Sequence, residues 1–397
     1  MRMQRFKQAL LGLAGAAVAA GTLSLWGCGG SGVTVNDTAQ TQPGNGWTWQ
    51  LPANFPTPKV PADNPMSAAK VELGRFLFYD KRLSGNGTQS CASCHHQDKA
   101  FTDGRITAVG STGAIHPRNS QGLANVAYHP TLTWANPSLL SLEAQMQVPL
   151  FSETPVELGV NDGNVAEILA RLSGDARYPS LFAAAYPGVD APISWANITR
   201  AIASFQRTLI SGHSRYDQFL QGTVTLTESE RRGLDLFNSE KAECFHCHAG
   251  FNFNDQVVHA STQVLDIPFH NTGLYNLGGT GNFPAGNQGL FELTEKPADR
   301  GRFRAASLRN VGVTAPYMHD GSMATLEEVL DFYAAGGRHI TSGPNAGDGR
   351  AHPNKSDLIS RIDLTTQDKA DLVAFLKTLT DSDFLTNPKF SNPHAAP

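Results

Sequence analysis

Charge is scarce in this chain of 397 residues. Asp, Glu, Lys and Arg together make up 17%, below the roughly 25% of ordinary soluble proteins. The small excess is acidic, a net charge of -4, so there is no basic surface of the kind nucleic acid needs, and nucleic-acid binding is set aside. Regular long patterns are missing too: 38 Gly and 23 Pro predict many loops between short elements rather than a coiled coil or a repeat solenoid. No convincing strand framework is legible, which leaves a mainly α fold as the expectation. The length suits two domains, each able to bury a full core.

What is present begins with a targeting segment. Arg2, Arg5 and Lys7 form a positive start, and Ala9 to Gly27 is an apolar stretch of small residues, too glycine-rich for a membrane span. Residues 1–27 therefore read as an export signal. The run Leu25-Trp26-Gly27-Cys28-Gly29-Gly30 resembles a bacterial lipobox, in which Cys28 would carry a lipid anchor; Trp26 is unusual there, and a plain cleaved signal peptide is the alternative. Both place the protein in the periplasm. Cleavage would remove three positive charges and no negative ones, making the mature chain more acidic and favouring partners with basic faces.

Only five cysteines occur, and four of them fall into two pairs: Cys91-Ala92-Ser93-Cys94-His95 and Cys244-Phe245-His246-Cys247-His248. Both are C-x-x-C-H. That spacing puts two thiols about one helical turn apart, so that they can add to the two vinyl groups of one haem while the adjacent histidine binds the iron. A zinc ribbon needs its pairs about 15 to 20 residues apart, whereas Cys91 and Cys244 are 153 apart. A thioredoxin-like pair needs no following histidine. Two covalently attached haem c groups are expected, with His95 and His248 as proximal ligands and His96 and His246 as surface or neighbouring residues.

The chain is organised around these motifs. Leu73-Gly74-Arg75-Phe76-Leu77-Phe78 precedes the first and Arg232-Gly233-Leu234-Asp235-Leu236-Phe237 the second, each with an aromatic residue four after its glycine. Two c-type haem domains with long loops follow: residues 61–224 and 225–385, with a flexible tether over 28–60, rich in Gly, Thr, Asn, Gln and Pro, and a tail over 386–397. Residues Asn197–Ile210 have helical apolar spacing and would close the first domain. Thr365–Leu379 reads as the last helix, with Thr365 and Asp368 as a capping pair and Leu372, Phe375, Leu376 and Leu379 as its buried stripe.

The runs Leu73-Gly74 through Leu83-Ser84-Gly85 into Cys91, and Arg309-Asn310-Val311 through Thr314-Ala315-Pro316-Tyr317-Met318-His319-Asp320-Gly321-Ser322, together with the two haem motifs, resemble the bacterial dihaem cytochrome c peroxidase superfamily over residues 60 to 381. Phe269-His270-Asn271-Thr272-Gly273-Leu274-Tyr275-Asn276 is similar to the MauG- and MbnH-like branch, whose members use peroxide to oxidise residues of another protein. That resemblance implies a sixth ligand on the second haem seventeen residues beyond Pro316, at Tyr333, where cytochrome-oxidising members carry Met. From the residues alone, Leu326, Val329, Leu330 and Tyr333 share one helical face after Thr325, so Tyr333 is either a core tyrosine or a ligand. Met318 and Met323 are fallback ligands.

On the open face of the first haem the resemblance implies a Gln and an acidic residue, here Gln145 and Glu157, with Glu143 and Glu153 as competitors. It also implies Trp134 as an aromatic bridge between haems and a calcium ion held by Asn119, Thr314 and Pro316, with water completing the oxygen shell. A second histidine ligand found in reductively activated peroxidases has no counterpart: Ser111 stands there, and His116 is out of register. The implied activity is cleavage of hydrogen peroxide with formation of a high-valent dihaem state that oxidises an exported protein partner, such as its Trp side chain. The alternative is a peroxidase fed by a small periplasmic cytochrome. A pure electron carrier is disfavoured because the first haem lacks a second axial ligand.

Overall fold

In the computed structural model, residues 38–41 and 46–394 are described; the export segment and Cys28 lie outside them. The fold is helix-rich with long loops. Its principal helices are α1 (Ala68–Tyr79), α2 (Trp195–Arg207), α3 (Glu228–Phe237), α4 (Leu326–Ala335), α5 (Thr366–Lys377) and the short α6 (Ser382–Thr386). Each start is written in the local sequence: Ser67, Ser194, Thr227, Thr325, Thr365 and Asp381 accept a backbone N–H of the first turn. At α3 and α5 the bond is reciprocated by Glu230 and Asp368, a capping box at both. The second helix begins two residues before Asn197 because Ser194 caps it, and the expected stripe of α5 is buried as read, Leu372, Phe375 and Leu379 completely. Among the described residues no helix is long and apolar enough to cross a membrane.

Two helix crossings of the same construction organise the chain. On α1, Gly74 lies so close to α2 that a Cβ would stand 1.9 Å from the Ala201 carbonyl oxygen; on α3, Gly233 lies as close to α5, 1.9 Å from that of Asp371. Phe205 and Phe375, each four residues beyond the touched carbonyl, are fully buried beside the glycine. Only glycine lets the two backbones approach this closely. Around the first crossing lies a core that includes Leu77, Phe78, Phe101 and Phe182; around the second, one that includes Phe237, Phe253, Leu330 and Leu376. Helix α6 returns to the first core, burying Phe384 there.

The two cores are joined by a buried polar network. The Asn125 side chain exchanges two hydrogen bonds with the Ser211 backbone, at 2.8 and 3.0 Å. Asn310 donates to the Ser211 hydroxyl at 3.0 Å, and its oxygen accepts the Asp381 N–H at 2.8 Å. One Asp381 oxygen accepts from the Ser211 hydroxyl and from the backbone of Gly212 and His213.

Part of the stretch expected to act as a tether is packed instead. Thr48–Leu51 pairs antiparallel with Thr38–Thr41, and Trp49, Leu51 and Phe55 are buried with Met66 and Tyr128 in a further core. The alternation Thr48-Trp49-Gln50-Leu51 places the two apolar side chains on one face of the strand. The other strand pair, His339–Ile340 with Gly347–Asp348, is shorter still, so no large sheet contributes among the described residues.

Gly233→Ala should lower unfolding free energy by about 2 kcal/mol or more through backbone overpacking at the α3–α5 crossing. Denaturant titration of the haem-loaded protein checks this; an unchanged midpoint would show that the crossing relaxes freely.

Candidate functional site

The two C-x-x-C-H motifs have matching surroundings. His95 donates through Nδ1 to the Phe101 carbonyl at 2.7 Å, and His248 to the Phe253 carbonyl at 3.1 Å. Both phenylalanines have left-handed backbones, φ +64° and +49°, which turn those carbonyls toward the rings. With Nδ1 engaged, Nε2 is the nitrogen left for an iron. Burial pushes the Cys91 thiol up to about 12 and the Cys94 thiol up to about 11, so neither is a thiolate nucleophile of the ordinary redox kind. His96 and His246 are exposed.

A large cavity runs beside the second motif. Cys244, Cys247 and His248 line it, and Tyr333 faces them from α4 together with Leu326, Val329 and Leu330. The Tyr333 hydroxyl makes no hydrogen bond to any described residue, and burial, then the nearby Cys247 and Cys244 thiols, push its pKa well up. Met318 also reaches the cavity, whereas Met323 packs in the neighbouring apolar cluster. Phe332, which the helical stripe did not predict, is buried in that cluster, against which Val329 and Tyr333 also pack.

Orphaned polar atoms mark what the cavity is built for. Both ring nitrogens of His129 and the Arg304 Nε are buried with no hydrogen-bond partner, and both residues line the cavity. Arg304 is otherwise held by the Thr131 carbonyl at 3.2 Å and by Gln121. Unsatisfied buried donors cost free energy unless a ligand completes them; the acid groups of a haem would do so. The donor set, two thiols, a poised imidazole, the Arg304 guanidinium and the His129 ring, which burial and then the Arg304 charge keep neutral, fits a covalently attached haem.

Between the motifs, Trp134 lines the same cavity and donates from Nε1 to the Asn119 carbonyl at 2.9 Å. Its ring lies 6.4 Å from that of His319, which stacks on Phe303 at 3.7 Å. Asn119, Thr314 and Pro316 all line this cavity. The Asn119 amide donates to the Arg105 carbonyl at 2.7 Å, leaving its oxygen free of any described donor.

Glu157 sits against the first motif, close enough for its charge to act on both Cys91 and Cys94. Its segment is pinned on three sides: the Glu157 carbonyl accepts from Ser111 at 2.7 Å, and Leu158 bonds to Gly85 at 2.8 Å and to Pro149 at 2.9 Å. Gly110 makes this possible, since a Cβ there would fall 1.8 Å from the Val156 oxygen. Burial raises the Glu157 carboxyl to about 7, the range of a useful proton shuttle. The competitors stand elsewhere: Glu143 is held ionised by Arg207 and Asn64, both at 2.6 Å, and Glu153 is exposed. Gln145 ends the short helix Leu142–Gln145, half-buried, with no side-chain hydrogen bond among the described residues.

Two poised histidines behind two C-x-x-C-H motifs, on two like helix crossings, define a protein of the multihaem c type. The sequence model of the di-haem cytochrome c peroxidase family matches residues 68–225. Cytochrome-c peroxidase IdrP1 of Pseudomonas sp. (strain SCT) is 36% identical over 83% of this chain and 86% of its own length. Methylamine utilization protein MauG of Methylorubrum extorquens is 34% identical, covering 83% of each. The crystal structure of a MauG-like protein associated with microbial copper homeostasis superposes with a TM-score of 0.86 at 59% identity, over 87% of this chain and 99% of that one. The chain belongs to the di-haem cytochrome c peroxidase family. It is a haem oxidoreductase that uses peroxide.

His129 and Arg304 escaped sequence reading, since neither belongs to a motif. A second signal was present: Leu123-Ala124-Asn125-Val126 and Leu308-Arg309-Asn310-Val311 repeat the same pattern, with both asparagines left-handed and fully buried. Acid-denatured holoprotein should retain two haems by mass and by haem absorbance, and Cys244→Ala with Cys247→Ala should retain one. Loss of both haems on denaturation would contradict thioether attachment.

Proposed function

We propose that this protein uses hydrogen peroxide to oxidise a side chain, such as a tryptophan, of an exported partner protein through long-range electron transfer. The observation that carries this reading is Tyr333, a cavity-facing tyrosine opposite His248 where a cytochrome-oxidising relative would carry methionine. The 59% identity to a MauG-like protein supports it, and that protein's association with copper homeostasis makes a copper-handling exported protein the place to look for the partner. In this reading residues 61–224 form the peroxide domain and 225–385 the electron-transfer domain. The chain acts in the periplasm, with or without a lipid anchor at Cys28.

Cleaving the O–O bond so that one water departs takes two electrons, which two haems, when bound, would supply one each; the peroxide's own two protons leave in that water, and the remaining oxygen becomes a second water once the partner has given up two electrons and two protons have been taken up. Glu157, with a carboxyl near 7, takes the proton from the near oxygen of peroxide and returns it to the departing one. Gln145 orients the substrate with an amide that does not titrate. Tyr333 offers a hard phenolate oxygen, which favours oxidised iron over reduced iron. Trp134 carries charge between the two sites, and Asn119 with the Thr314 and Pro316 carbonyls would hold a calcium ion, whose charge would draw these oxygens together. The likeness to IdrP1 favours a second reading, reduction of peroxide with electrons from a small cytochrome.

Stopped-flow mixing of the fully ferric protein with one equivalent of peroxide and no reductant separates the two. The first reading expects both haem bands to shift together into a product lasting minutes, a persistence that Tyr333→Met abolishes. Under both readings Glu157→Gln slows peroxide cleavage about 10²- to 10³-fold. A reaction that starts only after one haem is reduced, or a Tyr333→Met variant with unchanged product lifetime, would move the assignment to the cytochrome-fed peroxidase.

A further inference from the structure

His116 has no role in the scheme above, being out of register for an iron ligand. Its side chain nevertheless ends beside the candidate acid–base group: His116 Nε2 lies 3.7 Å from Glu157 Oε1, with both side chains about one-third exposed or less. The ring's protonation pattern is set from the other side, because Nδ1 accepts the backbone N–H of Arg118 at 3.1 Å. A neutral imidazole whose Nδ1 is an acceptor carries its proton on Nε2. Burial first, then the Arg118 charge, lower the His116 pKa and keep the ring neutral at pH 7. The His116 backbone is tied as well, its N–H bonding the Ala108 carbonyl at 2.8 Å.

We infer that His116 is a positioning residue for Glu157, presenting a fixed Nε2–H to the carboxylate across a gap that a small movement or one water closes. The inference rests on the reading of Glu157 as the proton-transfer group. A donor aimed at the ionised form favours that form, so it opposes the burial that pushes Glu157 up. Burial alone would leave much of the carboxyl protonated at neutral pH and unable to accept a proton from peroxide. The donor keeps the base form accessible while the low polarity keeps the acid form within reach. Other charged or titratable groups here are Arg118 beside His116, and Cys91 and Cys94 beside Glu157, with Asp103 and Arg105 lying beyond Cys94. The cysteines become uncharged thioethers on haem attachment, leaving His116 as the neighbour that can donate to Glu157.

The test compares holoprotein variants His116→Leu, His116→Gln and Glu157→Gln. Two quantities are read against pH: the optical spectrum of the resting ferric protein, and the rate of its reaction with peroxide. Both midpoints should rise by about one pH unit in His116→Leu and return toward the parent value in His116→Gln, which restores an N–H donor. Unchanged midpoints in His116→Leu, or a shift that His116→Gln fails to rescue, would overturn the inference while leaving Glu157 in place. If Glu157→Gln retains the pH-dependent limb, the carboxyl assignment itself falls and the inference with it. Conversion of a low-spin resting spectrum to high-spin in His116→Leu would make His116 an iron ligand and likewise overturn its role as a donor to Glu157.

Discussion

The Ser211 network is the constraint on which the rest of the arrangement depends. Asn125 belongs to the turn after the first motif and Asn310 to the equivalent turn after the second; both reach the same serine, and Asp381 closes the group from the C-terminal side. Removing the Asp381 carboxylate would strand four donors, the Ser211 hydroxyl and the backbone N–H groups of Gly212, His213 and Phe384, so the network holds together or fails as a unit. Because each asparagine sits shortly after the segment that faces its own histidine, the network fixes one motif relative to the other.

The two halves share a construction and differ in use. Each has a glycine crossing, a histidine held by the carbonyl of a left-handed phenylalanine, and a buried asparagine turn. What differs is the side of the motif away from the histidine. Near Cys91 that side is made by Glu157, pinned among glycine-bearing loops and raised to about 7. Near Cys244 it is made by a helix whose cavity face is apolar apart from the Tyr333 hydroxyl. Under the proposed function, the titrating group serves substrate chemistry at the first site and the phenol serves charge storage at the second.

Legibility in the sequence followed from how local the chemistry was. Covalent haem attachment needs contiguous residues, so the motifs at Cys91 and Cys244 were read directly, as was the cap at Thr365. Glu157 came from resemblance, because burial of a loop carboxylate depends on Gly85, Gly110 and Pro149, which no local pattern ties to it. His116 was weighed only as an iron ligand, and its position beside Glu157 depends on how the loop between Ala108 and Arg118 folds back. The tether was misjudged from composition: the four residues Thr48–Leu51 alternate cleanly, but the polar run around them masked a strand. The repeated Leu-x-Asn-Val pattern was too short to separate from chance without the geometry that shows both asparagines left-handed.

Burial makes Tyr333 a poor acid on its own: moving a phenolate into an apolar wall costs far more than leaving the proton in place. The hydroxyl lines the cavity and makes no hydrogen bond to a described residue. A cation directly opposite would favour the phenolate, by stabilising its charge and by taking a lone pair. Under the proposed function, an oxidised iron held by His248 would be such a cation. Reduction of that iron would then weaken the bond that offsets the buried charge, and the environment of Tyr333 would oppose it. A methionine in that place would carry no charge to bury and would impose no such penalty, which is why the identity of one side chain on α4 bears on the choice between storing oxidising equivalents and accepting electrons from a cytochrome.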